Sequence, residues 1–201
     1  MSDDATRTQV LRRTLESSSD PRVGRTRVAI ADAVHELSRR GDEITVAALV
    51  RTAGISRASF YSHYASLDEL ALALQREAFV AISEYYTREA GDPAVAMRAA
   101  QERLVSHFVE NRGLNAAVAA LPVSKDVYLG GVRALAAVIE QSLAQHPDKP
   151  NGLDVVPTAR YIAGAAYGLI DAWLTGEVDM TDEALVDHLT RLLPTWFSGI
   201  R

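Results

Sequence analysis

From Ile44 to Leu67 the chain carries no carboxylate, and inside that window Ser56, Arg57, Ala58, Ser59, Tyr61, Ser62 and His63 stand almost in a row. Short hydroxyl donors, a guanidinium and an imidazole beside small residues suit phosphate oxygens and base edges, with Thr45 adding a hydroxyl upstream. The patterns that bond-breaking chemistry uses are missing. Cysteine is absent, which removes thiolate metal sites, thiol nucleophiles and disulfides together. The five histidines show no metal-ligand spacing. No GxxxxGK[ST], HExxH, GxSxG or EF-hand pattern occurs. Neither an enzymatic activity nor a cofactor is expected.

The elements that must position these groups can be read from caps and periodicity. Thr45 can cap a helix over Val46–Ala53, with Ala47, Leu49, Val50 and Ala53 facing inward. Gly54 then supplies a left-handed turn, Ile55 plugs the core, and Ser56 caps a second helix through about Tyr61. Upstream, Ile30, Ala33, Val34 and Leu37 form an i, i+3, i+4, i+7 stripe on a helix from about Arg25 to Arg40, closed by Gly41. Downstream, Ser66-Leu67-Asp68-Glu69 reads as a capping box opening a long helix to about Ala90, broken by Gly91-Asp92-Pro93. Helix, glycine turn, short helix is the helix-turn-helix plan, whose second helix enters the DNA major groove. The same pattern also suits two short helices packed in a bundle that never meets DNA.

Further helices are predicted at roughly 93–110, 114–121, 124–145, 156–175 and 182–193, about nine in total, and no strand pattern occurs. The fold class is therefore all-α, in three parts: a flexible arm over 1–24 with a helical turn around Val10–Leu15, a helix-turn-helix domain over 25–70, and a larger helical domain over 71–201. At 201 residues, 48 % hydrophobic and 23 % charged, the chain can bury a core and is not a disordered polymer. No run approaches the roughly 18 apolar residues of a membrane helix. Met1-Ser2-Asp3-Asp4 places acid where a signal peptide carries base, so a soluble cytoplasmic protein with no membrane partner is expected. The net charge of −5 hides an asymmetry. Residues 1–64 hold ten arginines against eight acids, and the remainder eleven bases against eighteen acids.

The run Ile44–Leu70, with Ala47-Ala48-Leu49, Gly54-Ile55-Ser56 and Phe60-Tyr61-Ser62-His63-Tyr64, resembles the DNA-binding signature of the TetR family of bacterial transcriptional regulators almost position for position. Tyr161–Leu193 is more loosely similar to the C-terminal regions of one subgroup. The resemblance implies a ligand-responsive repressor that binds a palindromic operator in double-stranded DNA as a homodimer. By position, Arg57, Ala58 and Tyr61 would face base edges. Thr45, Ser59, Tyr61 and His63 would hold phosphates, helped by backbone N–H groups at the Ser56 helix start. Phe60, Ile55 and Leu70 would be core, and the Tyr64 hydroxyl a solvent-facing tip. Leu67 stands where the family commonly has a phosphate-binding lysine, and Ser62 where a basic or aromatic residue is frequent. Arg22, Arg25 and Arg27 could replace the missing cation, or be no more than a solvated helix start. The alternative is a TetR-like ligand-binding module with weakened or lost DNA binding.

For dimerisation the sequence offers Gly164 and Gly168 on one helix, small enough for close backbone approach, followed by Leu185, Leu189 and Leu192 on the next. The same surfaces would also suit packing within one chain. An unidentified small-molecule effector would need an apolar pocket with a few placed polar groups. Candidates among the aromatic and polarisable residues are Phe79, Tyr85, Met97, His107, Phe108, Tyr128, Tyr161, Tyr167 and Trp173. The pocket is assigned to His107, Phe108, Tyr128, Tyr161 and Trp173, each of which could equally be core. An aromatic content of 6 % argues against a large cage of stacked rings for cationic drugs.

Overall fold

A computed structural model describes residues 21–88, 92–119 and 124–199. The described residues form ten helices and no strand: α1 Pro21–Arg40, α2 Val46–Thr52, α3 Arg57–His63, α4 Leu67–Arg88, α5 Pro93–Glu110, α6 Arg112–Ala119, α7 Ser124–Gln145, α8 Val155–Leu174, α9 Asp182–Arg191 and α10 Thr195–Ser198. The tenth, beyond the nine expected, is the single turn of α10. None of the described helices is long and apolar enough to cross a membrane. Residues 1–20, including the turn expected around Val10–Leu15, lie outside the description, as do Gly91 and Pro122.

Two compact units result, Met1–Leu74 with Glu110–Ser124 and Gln75–Val109 with Lys125–Arg201. In the first, α1 starts at Pro21 and not near Arg25, so residues 21–24 are helical. Proline's fixed φ and missing N–H suit a first helical position. The α1 stripe is buried as expected at Ile30, Ala33, Val34 and Leu37. Both predicted glycine turns form. Gly41 and Gly54 have φ of 72° and 65°. Each sits in a Schellman arrangement, with Asp42 N–H on the Leu37 carbonyl at 3.0 Å and Ile55 N–H on the Val50 carbonyl at 3.0 Å.

The inward face of α2 is carried by Ala48 and Leu49, whereas Ala47 is exposed and Val50 and Ala53 are half-buried. On a seven-residue helix one residue is worth about 100° of rotation, and the short apolar run left that phase ambiguous. Gly113 also differs from the sequence reading. It lies inside the helix and not ahead of the one expected over 114–121: α6 begins one residue before it and packs against α1, with Gly113 directly opposite Ser38 and Ile44.

The second unit has two buried clusters. One joins Phe79, Leu104, Phe108, Leu135, Tyr167, Ile170, Trp173, Leu185 and Leu189 among others. The other joins Met97, Leu143, Ala159, Ile162 and Phe197. Tyr167 is central to the first. Tyr128 and Phe108 meet its ring edge-on at 5.1 and 5.6 Å between centroids, and its hydroxyl bonds to Gln75. Its ring presses so closely on Gly131 that a Cβ there would collide with it. Burial pushes the Tyr167 phenol up to about 12.

Candidate nucleic-acid interface and ligand cavity

Within the first unit, α3 is fixed from one side by Phe60, which is fully buried. Burying such a ring is worth about 1.5–3 kcal/mol, and it determines which face of α3 remains outside. Ser56, Arg57, Ala58 and Tyr61 are exposed, while Ser59, Ser62 and His63 are half-buried. Arg57 has no ion-pair partner among the described residues.

Three hydroxyls of this window are already engaged in local structure. Thr45 accepts the Ala48 N–H at 3.1 Å and caps α2. Ser56 accepts the Ser59 N–H at 3.0 Å and caps α3, and Ser62 donates to the Ser59 carbonyl at 2.7 Å. A hydroxyl that accepts a cap bond keeps its own hydrogen and a lone pair, so capping does not exclude a phosphate contact. His63 is held below the usual imidazole range by burial and by the nearby Arg27 guanidinium. The capping box at Ser66 forms with a shift: Ser66 accepts the Glu69 N–H at 3.4 Å, but Glu69 reaches back to the Ala65 N–H at 2.6 Å. Tyr64 is 2 % exposed, so it has no solvent-facing tip, and Leu67 is half-buried. Arg25 lies exposed on the first turns of α1.

Residues 29–74 match the family model described as bacterial regulatory proteins, tetR family. The chain carries a TetR-family domain. The all-α fold, a TetR helix-turn-helix domain followed by a larger helical region, agrees with solved structures. One is the fatty acid degradation regulator FadR from Bacillus halodurans, at 14 % identity over 86 % of this chain and 98 % of that one, with a TM-score of 0.53. Another is FadR from Bacillus subtilis, solved in complex with stearoyl-CoA, at 16 % identity over 87 % and 99 %, with a TM-score of 0.51. At such identities the likeness is one of fold. No curated protein matches the chain.

In the second unit, an apolar cavity of about 90 Å³ opens among α4, α5, α7, α8, α9 and the C-terminal turn. Its walls include Phe79, Ile82, Tyr86, Met97, Leu104, Val138, Ile162 and Phe197, with Ser83, Gln101 and Ser142 as polar points. Among the described residues no charged side chain lines it. The Tyr86 hydroxyl donates to the Phe197 carbonyl at 3.3 Å, and burial raises its pKa.

None of the five residues assigned to a pocket from sequence lines this cavity. Tyr161 is 77 % exposed on the outer side of α8. Trp173 is core, its indole N–H donating to the Met180 carbonyl at 2.9 Å. Phe108 and Tyr128 are packed on Tyr167, and His107 meets Phe79 edge-on at 6.1 Å between centroids. Of the wider set of aromatic and polarisable candidates, Phe79 and Met97 do line it. Sequence reading followed rings and missed the serines. The usable signal was a small hydroxyl on an apolar helical stripe, in Phe79-Ile82-Ser83-Tyr86 and again in Leu135-Val138-Ile139-Ser142.

The surfaces proposed for dimerisation divide. Leu185 and Leu189 are buried in the unit's own core, at 0 % and 5 % exposure, so they serve packing within the chain. Gly164, by contrast, has open space where a Cβ would stand, and Gly168 meets only the Tyr128 hydroxyl at 3.5 Å. Leu192 is 72 % exposed.

Proposed function

We propose that this protein is a ligand-responsive transcriptional repressor that binds a palindromic operator as a homodimer. The observation that carries the reading is the outer face of α3. Arg57, Ala58 and Tyr61 are exposed together on a helix anchored by a fully buried Phe60, inside a segment that matches the TetR family. Such a helix offers a guanidinium for a guanine edge, a small residue for close approach and a phenol for phosphate. Exposed Arg25, with Thr45, Ser56, Ser59, Ser62 and His63, would supply flanking backbone contacts. Two copies related by a two-fold axis would present two such helices to half-sites about 34–36 Å apart.

The cavity of the second unit is the proposed effector site, where a ligand would favour one arrangement of the dimer over another. Stearoyl-CoA, found with the Bacillus subtilis FadR, is a poor fit here: the space is about 90 Å³ and no cation lines it to meet phosphate.

Selection of bound sequences from a random duplex pool tests the DNA reading. A palindrome should be recovered and should vanish with Arg57→Ala plus Tyr61→Ala, each substitution leaving the far-ultraviolet dichroism intact. No enrichment at low salt would favour the module without DNA binding, the outcome towards which the lost cation at Leu67 points.

A further inference from the structure

The apolar cavity is flanked on one side by a polar groove between α4 and α7, lined by Val80, Ser83, Glu84, Val138, Gln141, Ser142 and Gln145. Ser83, Val138 and Ser142 line both spaces. The two hydroxyls meet at 3.3 Å across the helices. Ser142 also donates to its own helix at the Val138 carbonyl, 3.1 Å away, and keeps lone pairs that can accept. A hydrogen-bonded serine pair thus stands on the boundary between a dry interior and a wetter exterior.

We infer that the effector is a small uncharged amphiphile, whose apolar body fills the cavity and whose single hydrogen-bonding head replaces the contact between Ser83 and Ser142 at its mouth. This rests on the proposed reading of the cavity as the effector site. Three observations select the class. The cavity walls carry no charge, so an ionised group inside would lose its hydration without a counter-ion. The Ser142 oxygen can accept from a hydroxyl head and the Ser83 hydroxyl can donate to a hydroxyl or carbonyl head, so such a head exchanges one hydrogen bond for another at little net cost. The volume of about 90 Å³ is well below the roughly 300–1,000 Å³ of drug-sized sites, which limits the body to a few carbons or one ring.

The test uses the full chain titrated with 1-hexanol and with hexanoate, followed by amide chemical shifts. Hexanol should bind at least tenfold more tightly than hexanoate. The double variant Ser83→Ala, Ser142→Ala should weaken hexanol by about 2–10-fold, the loss of one net hydrogen bond. Ala166→Leu, which adds bulk to the cavity wall, should abolish binding of both. Equal or tighter binding of hexanoate, or hexanol binding untouched by the serine double variant, overturns the inference while leaving the cavity as effector site. Shifts unaffected by Ala166→Leu would overturn the cavity reading itself. Chemical-shift dispersion of each variant verifies that it is folded.

Discussion

Gly113 and Ser38 approach so closely that a Cβ on the glycine would lie 2.9 Å from the serine hydroxyl and 3.3 Å from its Cα. That Cβ would also stand 3.1 Å from Ile44 Cδ1, and of the three atoms only Ser38 Cα is backbone that a side-chain rotation cannot clear. Glycine inside α6 is intrinsically worse than alanine by about 1 kcal/mol, and close packing on α1 is what the residue supplies in return. Gly113→Ala should therefore destabilise the protein by about 1–3 kcal/mol despite its better helix propensity. Urea denaturation measures this, and an unchanged or higher midpoint would show that α1 and α6 separate without cost.

Ser56 and Arg57 are adjacent and should separate stability from recognition. The Ser56 side chain caps α3, so Ser56→Ala should cost about 1 kcal/mol of stability, and Ser56→Gly only a few tenths. Arg57 is exposed and should cost almost nothing in stability when replaced by alanine, while operator affinity falls by about 1–3 kcal/mol. Thermal melts and salt-controlled binding isotherms on the same two variants read both quantities.

How much of this was legible in the sequence follows from what each signal depends on. The caps at Thr45 and Ser56, the turns at Gly41 and Gly54 and the α1 stripe are local, set by residues a few positions apart, and all appear in the structure. The phase of α2, where Ala48 and not Ala47 is buried, depends on neighbours outside the helix. Gly113 falls outside the helix expected over 114–121 because its reason for being a helical glycine, Ser38, lies 75 positions away. The five residues expected around a pocket lie away from the apolar cavity for the same reason. Tyr161, Phe108 and Trp173 are indistinguishable as aromatic residues in a sequence, and only tertiary packing sends one to solvent and two to the core. Leu185 and Leu189 likewise carry a stripe that fits an interface between chains or a core within one, and packing chose the core.

His63 gives a pH dependence whose sign follows from its surroundings. Burial, then the Arg27 charge, hold its pKa below the unfolded value near 6.5. Between those two pKa values the unfolded chain binds the extra proton, so the His63 contribution to stability is present above about pH 6.5 and is lost as pH falls through that value towards the folded pKa. His63→Gln should therefore flatten the decline of melting temperature between about pH 7 and 5 relative to the wild type. If the two curves run parallel, His63 is not depressed. DNA phosphate beside the ring would raise its pKa, so operator binding should take up protons near pH 6, seen as a buffer-dependent heat in calorimetry.

Gly164 allows the dimer to be tested by opposite signs. On α8, Tyr161, Gly164, Ala165 and Gly168 follow i, i+3, i+4, i+7 spacing, and Tyr161 and Ala165 are exposed. In a lone chain nothing lies within 4 Å of a Cβ at Gly164, so Gly164→Ala would stabilise α8 by about 1 kcal/mol at every concentration. If a partner helix packs on this face, the added methyl holds the backbones apart and weakens association, and Gly164→Arg breaks it. Light scattering of the wild type should give twice the chain mass, with Gly164→Arg giving the chain mass and unchanged helicity. A wild type that stays monomeric at micromolar concentration, together with a simple stabilising effect of Gly164→Ala, would remove this face from the interface.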